Sequence, residues 1–235
     1  MKLQVVEESK ELIEDLVHPG MVVADIGANF GYYTLLMAKL VGPQSYVYAF
    51  EPVDRYRHRF LEHMKLNNII NVEVSNYALS NASGHGQINI GECSGTFHWC
   101  ASQKPESTQK VILTTLDTYI EKQKINKLDF IKVDLDGHEP FFLEGAQNTL
   151  LKYKPIMLIE SSQMNLHEAG SAAWELVDMI EELNYTLVSS KTRKIFPSRL
   201  DCLKEVANFS HSADILCIPS RHKLLELFGN TPAVR

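Results

Sequence analysis

The chain has 235 residues, which is enough for one large α/β domain and short for two. Its net charge of −6 disfavours a phosphate-driven interaction with nucleic acid, and no apolar run is long enough to span a membrane. The four cysteines form no C-x-x-C pair, and the first nine residues lack the apolar segment of a signal peptide. We therefore expect free thiols and a soluble, cytoplasmic protein.

Helical and strand-like segments alternate through the first 77 residues. The predicted elements are a helix over 7–17, a strand over 21–24, a helix over 32–41, a strand over 46–50, a helix over 54–66 and a strand over 72–74. Prolines and glycines mark the breaks, as at His18-Pro19-Gly20. This alternation is typical of a parallel sheet with helices on its faces.

The turn after the first strand predicts a ligand site. Asp25 ends the apolar run, and the small residues between Gly27 and Gly31 lead into the next helix. The pattern is D-x-G-x-N-x-G, in which Asn29 replaces the middle glycine that a dinucleotide pyrophosphate requires. It favours a nucleotide-like cofactor without a pyrophosphate, with loop amides directed toward an anionic group. An ordinary strand-to-helix turn is the alternative.

A glutamate at the end of the second strand supports the ligand interpretation. Glu51 lies about twenty residues beyond Gly31, where doubly wound folds place an acid for the ribose hydroxyls. Its two carboxylate oxygens can each accept one hydroxyl proton of a vicinal diol. Pro52 follows it directly and ends the strand. A solvated glutamate at a strand end is the alternative.

Residues 80–114 interrupt the alternation of strands and helices. Four glycines punctuate the segment, and alternating runs at 87–90 and 111–116 predict two strands joined by a long loop. We expect a β-hairpin or lid inserted over one end of the sheet. Phe97, His98 and Trp99 in its loop face a substrate or fill a small satellite core.

The second half returns to strands and helices. The predicted elements are a helix over 117–124, a strand over 128–133, a helix over 141–151, a strand over 155–159, a helix over 172–183 and strands over 186–189 and 214–218. Residues 190–213 are expected to be a polar connection, and 221–235 a peripheral helix and tail. Together the segments predict one doubly wound, mostly parallel sheet in a single domain.

Acids and bases crowd the end of the fourth predicted strand. Lys132, Asp134, Asp136, His138 and Glu139 lie within eight positions, at the sheet edge where open α/β folds bind ligands. Transfer of a group to a hydroxyl profits from a positioned general base. Asp134 and His138 have the residue types suited to that role, and the pKa values in such a cluster should be shifted.

Two other interpretations of this cluster stay open. In the first, part of the cluster is structural, because the spacing of Asp136, Glu139 and Pro140 is that of a helix cap. Hard metal ligands are also present, but their spacing demands no metal, and we predict none. These ligands are Asp134, Asp136, His138 and Glu160.

These segments resemble the FkbM family of methyltransferases over about residues 8–220. The matching segments are Asp25–Thr34, Ala49–Pro52, Ala78–Ser80 with Gly84, Thr115–Asp117, Lys132–Glu139, Leu143–Ala146 and Pro155–Glu160. The resemblance implies a class I methyltransferase fold, Rossmann-like, with a seven-stranded sheet. It implies S-adenosylmethionine as cofactor, S-adenosylhomocysteine as product, and hydroxyls of sugars or natural products as acceptors. One departure is Asp136, where the family usually has glutamate.

The resemblance and the motifs assign roles residue by residue. The expected cofactor residues are Asp25, Gly27, Ala28, Asn29, Phe30, Gly31, Thr34, Glu51, Pro52, Asn76 (near the adenine), Ala78 and Asp134. The expected catalytic residues are Asp134, His138, Asp136, Glu139 and Lys132. The expected substrate residues are Phe97, His98, Trp99 and Glu160.

The sequence thus predicts O-methylation of a small molecule, natural product or glycan, without a membrane partner. N-methylation of a peptide side chain or small molecule stays open, as does a catalytically silent binding or scaffold protein. A nucleic-acid methyltransferase is disfavoured by the acidic charge and by the absence of Asn-Pro-Pro-Tyr and Pro-Cys stretches. The missing G-x-G-x-x-G argues against a nicotinamide dehydrogenase. Nothing in the sequence indicates the oligomeric state.

Overall fold

The structure is a computed structural model that describes residues 2–91, 95–97, 105–208 and 211–229. Its helices are α1 (Lys2–Leu16), α2 (Tyr32–Val41), α3 (Asp54–Leu66), α4 (Leu116–Lys122), α5 (Glu139–Glu144), α6 (Gln147–Tyr153), α7 (Gln163–Glu168), α8 (Ala173–Glu182), α9 (Arg199–Val206) and α10 (Leu225–Gly229). Its strands are β1 (Val23–Ile26), β2 (Val47–Phe50), β3 (Val72–Ser75), β4 (Tyr77–Leu79), β5 (Gly84–Ile90), β6 (Gly95–Thr96), β7 (Ser107–Thr114), β8 (Phe130–Val133), β9 (Ile156–Ser161), β10 (Tyr185–Ser189) and β11 (Ala213–Pro219). Within the described ranges, no helix is both long and apolar enough to cross a membrane.

The main sheet has seven strands in the order β10-β11-β9-β8-β1-β2-β3. The strands from β9 to β3 are parallel to their neighbours, and β11 runs antiparallel to both β9 and β10. The predicted doubly wound, mostly parallel sheet is therefore confirmed. Because parallel strands point the same way, the ends of β1, β2, β8 and β9 all meet at one edge.

Alternating side chains divide the core between the two faces of the sheet. Val23 and Phe130 pack with residues of α1 and α2, whereas Ala24 and Ile131 pack with residues of α4, α5 and α8. This is the period-2 alternation of a strand that is buried on both sides. The result is a sheet between two helical layers, which leaves its carboxyl edge open to a ligand.

The segment predicted as two strands forms a second sheet of four strands, in the order β4-β7-β5-β6. β5 and β7 form the predicted antiparallel pair, but β4 adds a parallel edge strand and β6 a short antiparallel one. Hydrogen bonds fix this insertion sheet to α3 and the residues before it. Tyr56 Oη donates to the Gly91 carbonyl at 2.8 Å, and Gln109 Nε2 donates to the Pro52 carbonyl at 2.8 Å.

The helices differ from the sequence prediction at three places in the chain. The continuous helix predicted over 141–151 is wrong, because α5 and α6 are separated around Gly145. A side chain at Gly145 would place its Cβ 2.1 Å from the Ser80 carbonyl oxygen, so the backbones touch there. The polar connection predicted over 190–213 contains α9, capped by Ser198, and α7 was also not predicted.

Candidate active site

A cleft with about 650 Å³ of empty space lies at the carboxyl edge of the sheet, beside the insertion sheet. The residues that line it are Ile26, Gly27, Asn29, Phe50, Glu51, Pro52, Tyr56, Tyr77, Ala78, Leu79, Ile88, Gly95, Phe97, Asp134, Leu135, Asp136 and His138. Residues from both halves of the sequence therefore meet at the predicted edge.

Close packing determines the shape of the loop after β1. Gly27 has φ +83°, and a Cβ at this position would lie 1.9 Å from the carbonyl oxygen of Asp134. Only glycine lets the end of β1 approach the end of β8 this closely. Asn29 has φ +51°, a left-handed conformation that asparagine tolerates better than most residues do.

Four amides of this loop are bound within the protein, whereas the sequence predicted that the loop amides face a ligand. The amides of Gly27 and Ala28 donate to the Phe50 carbonyl, and the amide of Gly31 donates to the Ala28 carbonyl. The Asn29 amide donates to Glu51 Oε2 at 2.8 Å. The loop is thus pinned to the end of β2, because a turn this tight must satisfy its own amides.

Asp25 lies below the cleft and does not line it. Its carboxylate accepts a hydrogen bond from the buried Thr34 hydroxyl of α2. Burial raises the pKa of Asp25, an effect that the nearby Lys132 ammonium opposes. Asp25 and Thr34 therefore join β1 to α2. Three other predicted cofactor residues, Ala28, Phe30 and Gly31, also lie outside the lining of the cleft.

Glu51 is buried and lies at the cleft wall. Its Oε2 accepts the Asn29 amide, and its Oε1 accepts the Val53 amide, both at 2.8 Å. Burial raises the pKa of Glu51 to about 7, although both amide hydrogen bonds act to lower it. A carboxylate has about four acceptor positions, so each oxygen can also accept a hydroxyl proton from a ligand in the cleft.

The apolar side of the cleft is formed by Phe50, Tyr77, Ala78 and Ile88. Such a wall suits the flat face of a purine base. Asn76 is exposed and is not among the residues that line the cleft, although the next residue, Tyr77, is. Sequence reasoning chose Asn76 for its hydrogen-bonding side chain and did not identify Tyr77, which lies next to it.

The loop between β8 and α5 is also held by its own side chains. Asp136 has φ +50°, and its Oδ1 accepts a hydrogen bond from Asn165 at 3.2 Å. Aspartate tolerates this left-handed conformation better than glutamate does, which fits the departure from the family pattern. Glu139 is buried, and its Oε1 accepts the Leu135 amide at 2.9 Å and the Gly137 amide at 3.3 Å. Glu139 therefore supports the loop from within the protein.

His138 is enclosed between two aromatic rings. The centroid of its imidazole is 4.4 Å from that of Phe97 and 4.6 Å from that of Phe141. Its Nε2 lies 3.0 Å from the buried Ser80 hydroxyl. Phe97 packs against the core of the insertion sheet and also lines the cleft, and its contact with a substrate stays a prediction. His98 and Trp99 lie outside the described residues.

Five charged side chains on four adjacent strands form a charged row, which consists of Asp25, Lys132, Asp134, Glu160 and Asp214. Asp25 pairs with Lys132 in register, and Glu160 pairs with Asp214. Asp134 and Glu160 follow the registered pair Val133 and Ile159, so they are neighbours across β8 and β9. Strand alternation places the row on the α1 and α2 face of the sheet.

Lys132 is the cation of this row. Its ammonium lies 2.8 Å from Asp134 Oδ2 and 4.6 Å from the centre of the Tyr33 ring. Burial acts to lower the pKa of Lys132, but the carboxylates of Asp134, Asp214 and Asp25 outweigh it and raise the pKa. Although burial favours the protonated acid, the same ion pair lowers the pKa of Asp134. Asp134 therefore carries its negative charge at the cleft.

The structure brings together about half of the predicted site at the cleft and leaves the rest around it. Asp134, Asp136, His138 and Phe97 line the cleft, Lys132 and Glu139 are buried beside it, and Glu160 adjoins Asp134. Sequence reasoning missed Ser80 and Asp214. An acid opening the otherwise apolar run 214–218 was the available signal for Asp214. Within the described ranges, no three His, Cys, Asp or Glu side chains could hold a metal ion together.

Comparison with known proteins agrees with this architecture. A family model described as the methyltransferase FkbM domain matches residues 25–187. The fold is similar to a SAM-dependent methyltransferase from Aquifex aeolicus, with a TM-score of 0.52 and 17% identity over 93% of this chain and 92% of that one. It is also similar to SMU.1697c from Streptococcus mutans, solved with SAH, with a TM-score of 0.54 and 12% identity over 91% and 97% of the chains.

A third similar structure is the methyltransferase FkbM from Methylobacillus flagellatus KT, with a TM-score of 0.53 and 13% identity. The match covers 88% of this chain and 50% of that longer one. The comparison with curated protein sequences found no match. The fold and the family model define the class of protein as an S-adenosylmethionine-dependent methyltransferase. Within that class, the chain belongs to the FkbM methyltransferase family.

Proposed function

We propose that the protein transfers a methyl group from S-adenosylmethionine to a hydroxyl oxygen of a small molecule or glycan. The observation that carries this proposal is the carboxylate of Asp134, which lines the cleft and is kept ionised by Lys132 at 2.8 Å. A hydroxyl must lose its proton as it is methylated, whereas a neutral amine already offers a lone pair. An ionised carboxylate at this place suits a hydroxyl acceptor.

The residues of the cleft fit the cofactor. Glu51 would accept the ribose hydroxyls, and the wall of Phe50, Tyr77 and Ile88 would contact the adenine. The bound cofactor supplies a methyl group on a positively charged sulfur. The carboxylate of Asp134 would offset the cost of removing that charge from water.

The methionine end of the cofactor needs another anchor than the one predicted from the sequence. Four amides of the loop at 27–31 are already bound within the protein. The first amides of a helix have no carbonyl partner within the helix itself, and α2 begins at Tyr32, directly after this loop. We assign the cofactor carboxylate to this first turn, where the helix dipole also favours an anion.

His138 has a positioning role in this proposal. Its ring packs between Phe97, next to β6, and Phe141 of α5, and its Nε2 lies at hydrogen-bond distance from the Ser80 hydroxyl. These contacts join the insertion sheet to the main domain at the cleft wall. We therefore propose that His138 holds the cleft wall in place and that Asp134 accepts the proton.

Product analysis with a labelled methyl donor tests the proposed function. The protein is incubated with S-adenosylmethionine and matched acceptors, such as sugars, phenols and hydroxy acids against their amino analogues. We expect S-adenosylhomocysteine and O-methylated products from a hydroxyl acceptor, and a loss of turnover in Asp134→Asn. Mass spectra that show N-methylation alone would overturn the assignment of the acceptor. Absence of cofactor binding would favour a silent scaffold.

A further inference from the structure

Asp134 and Glu160 form an acid pair at the open edge of the sheet. They are adjacent across β8 and β9, since the residues before them, Val133 and Ile159, are in register. Each side chain shifts the pKa of the other, and both are partly exposed. Two carboxylates on adjacent strand ends repel, so the pair is most stable when one of its members keeps a proton.

The surroundings determine which member keeps the proton. Lys132 contacts Asp134, whereas Glu160 lies between Asp134 and Asp214 and forms no ion pair with any described residue. Burial and the charges of Asp134, Asp136 and Asp214 raise the pKa of Glu160 well above its usual value. The charged and titratable groups around the pair are Asp25 on β1, Lys132 on β8, Asp136 in the following loop, Asp214 on β11, Tyr33 on α2 and Glu8 on α1.

We propose that Asp134 and Glu160 share one proton, and that the charge of the bound methyl donor determines whether the pair holds it. The pair releases the proton when S-adenosylmethionine binds and takes up the hydroxyl proton of the acceptor during methyl transfer. This inference rests on the proposed function and adds Glu160 as the second proton-accepting group. It also makes the charge of the site the same before and after the reaction.

The step balances in atoms and charge. The acceptor oxygen bonds to the methyl carbon as the carbon–sulfur bond breaks, and the sulfur keeps the electron pair and becomes neutral. The hydroxyl proton passes to the acid pair. One positive charge leaves the sulfur and one arrives on the carboxyl groups, so the cleft never holds an uncompensated charge. In a partly buried site such a charge would be costly.

Other acids and bases of the site are less suited to this exchange. His138 is enclosed by aromatic rings, and Glu139 accepts two backbone amides from inside the protein. Glu51 also has a raised pKa, but it is hydrogen-bonded to the amides of Asn29 and Val53. In the proposed binding mode it meets the ribose, which is identical in the donor and in its demethylated product.

Calorimetric titration of the full chain with S-adenosylmethionine and S-adenosylhomocysteine tests the inference. The two ligands differ at the sulfur, and titrations in phosphate and in Tris buffer report the protons released by each. We expect the protein to release up to one proton more when it binds the charged donor than when it binds the neutral product. The affinity for S-adenosylmethionine, relative to that for S-adenosylhomocysteine, should then rise with pH by up to about tenfold per pH unit. Equal proton release by the two ligands in the wild-type protein would overturn the inference.

Two variants make the test specific. Glu160→Gln keeps the size and polarity of the side chain but cannot release a proton, so the difference between the ligands should vanish. Glu51→Gln is the matched control, because it should weaken both ligands and leave their difference in proton release. A full difference retained in Glu160→Gln would overturn the role of Glu160. Failure of both ligands to bind would instead overturn the proposed function itself, and the inference with it.

Discussion

At the scale of single residues, the carboxyl groups of this site differ in what holds them. Glu51 accepts amides from two loops and still reaches the cleft, whereas Glu139 accepts amides but is turned inward. Asp134 is kept ionised by Lys132, whereas Glu160 has no such ion pair among the described residues. The same functional group therefore anchors a loop, faces a ligand or carries a proton according to its neighbours.

Glu51→Gln should weaken the binding of S-adenosylmethionine and S-adenosylhomocysteine by about 10- to 100-fold. The amide keeps one acceptor oxygen but loses the charge, and hydrogen bonds to charged groups contribute about 1.5–3 kcal/mol. Calorimetric titration measures both affinities. The exposed Glu182→Gln at the end of α8 is the control for a change in net charge. Unchanged affinity in Glu51→Gln would remove Glu51 from the cofactor site.

Glu139→Gln should change how stability depends on pH. Burial raises the pKa of Glu139 to about 7, against 4.5 for an ordinary glutamate. Between these values the folded protein holds a proton that the unfolded chain has released. The contribution of Glu139 to the free energy of unfolding therefore falls as pH rises, by roughly 1.4 kcal/mol per pH unit.

Glutamine does not ionise, so Glu139→Gln does not lose stability in this way as pH rises. Its Oε1 can still accept hydrogen bonds from the amides of Leu135 and Gly137. Relative to the wild-type protein, Glu139→Gln should gain about 3 kcal/mol of stability between about pH 4.5 and about pH 7. Urea unfolding of both proteins across this range measures the difference. A stability difference that does not change with pH would contradict the assigned ionisation of Glu139.

At the scale of elements, the site depends on close contacts between strand ends. The loop after β1 is bound to the end of β2 and touches the end of β8, and the insertion sheet is bound to α3. Gly145 lets the backbone at Ser80 approach α5 in the same way. The hydrogen bonds and backbone contacts form the rigid frame on which the charged side chains are placed.

A matched pair of glycine variants tests the contact between β1 and β8. Gly20 and Gly27 have nearly the same φ, +85° and +83°, but only Gly27 has another backbone against it. Gly20→Ala should cost about 1–2 kcal/mol through the left-handed conformation alone. Gly27→Ala should cost at least about 2 kcal/mol more, since its Cβ would lie 1.9 Å from the Asp134 carbonyl oxygen. Equal costs in urea unfolding would show that this contact is unimportant.

At the scale of the whole molecule, the fold places the cleft and the acid pair at one edge of a single sheet. Residues 25–187 match the family model, and the sheet is completed beyond them by β11. β11 is inserted between β9 and β10 and brings Asp214 beside Glu160. The last strand thus contributes to the charged row although it lies outside the matched segment.

S-adenosylhomocysteine should stabilise the whole domain. At about 100 times its dissociation constant, a ligand that binds only the folded state adds about 2.7 kcal/mol. For a chain of this size this corresponds to a rise in Tm of roughly 5–10 °C. Thermal unfolding with and without the ligand measures the shift, with NAD as a control that should have no effect. A shift with NAD and none with S-adenosylhomocysteine would contradict the proposed cofactor.

The sequence by itself determined the class of fold, most elements of the main sheet and the edge of the sheet at which the cleft lies. Hydrophobic periodicity and turn residues are local signals, so strands such as 46–50 and 128–133 were identified from their own residues. The motif from Asp25 to Gly31 and the cluster at 132–139 were found in the same way. The acceptor class stays a proposal, because no local pattern encodes it.

Only the tertiary structure decided which side chains meet. It engaged the loop amides within the protein, placed Tyr77 rather than Asn76 at the cleft, and enclosed His138 beside Ser80. It also brought Asp134, Glu160 and Asp214 together from three separate strands. The physical reason is that strand register and backbone contacts between distant segments determine these distances, and neither can be read from a local stretch of sequence.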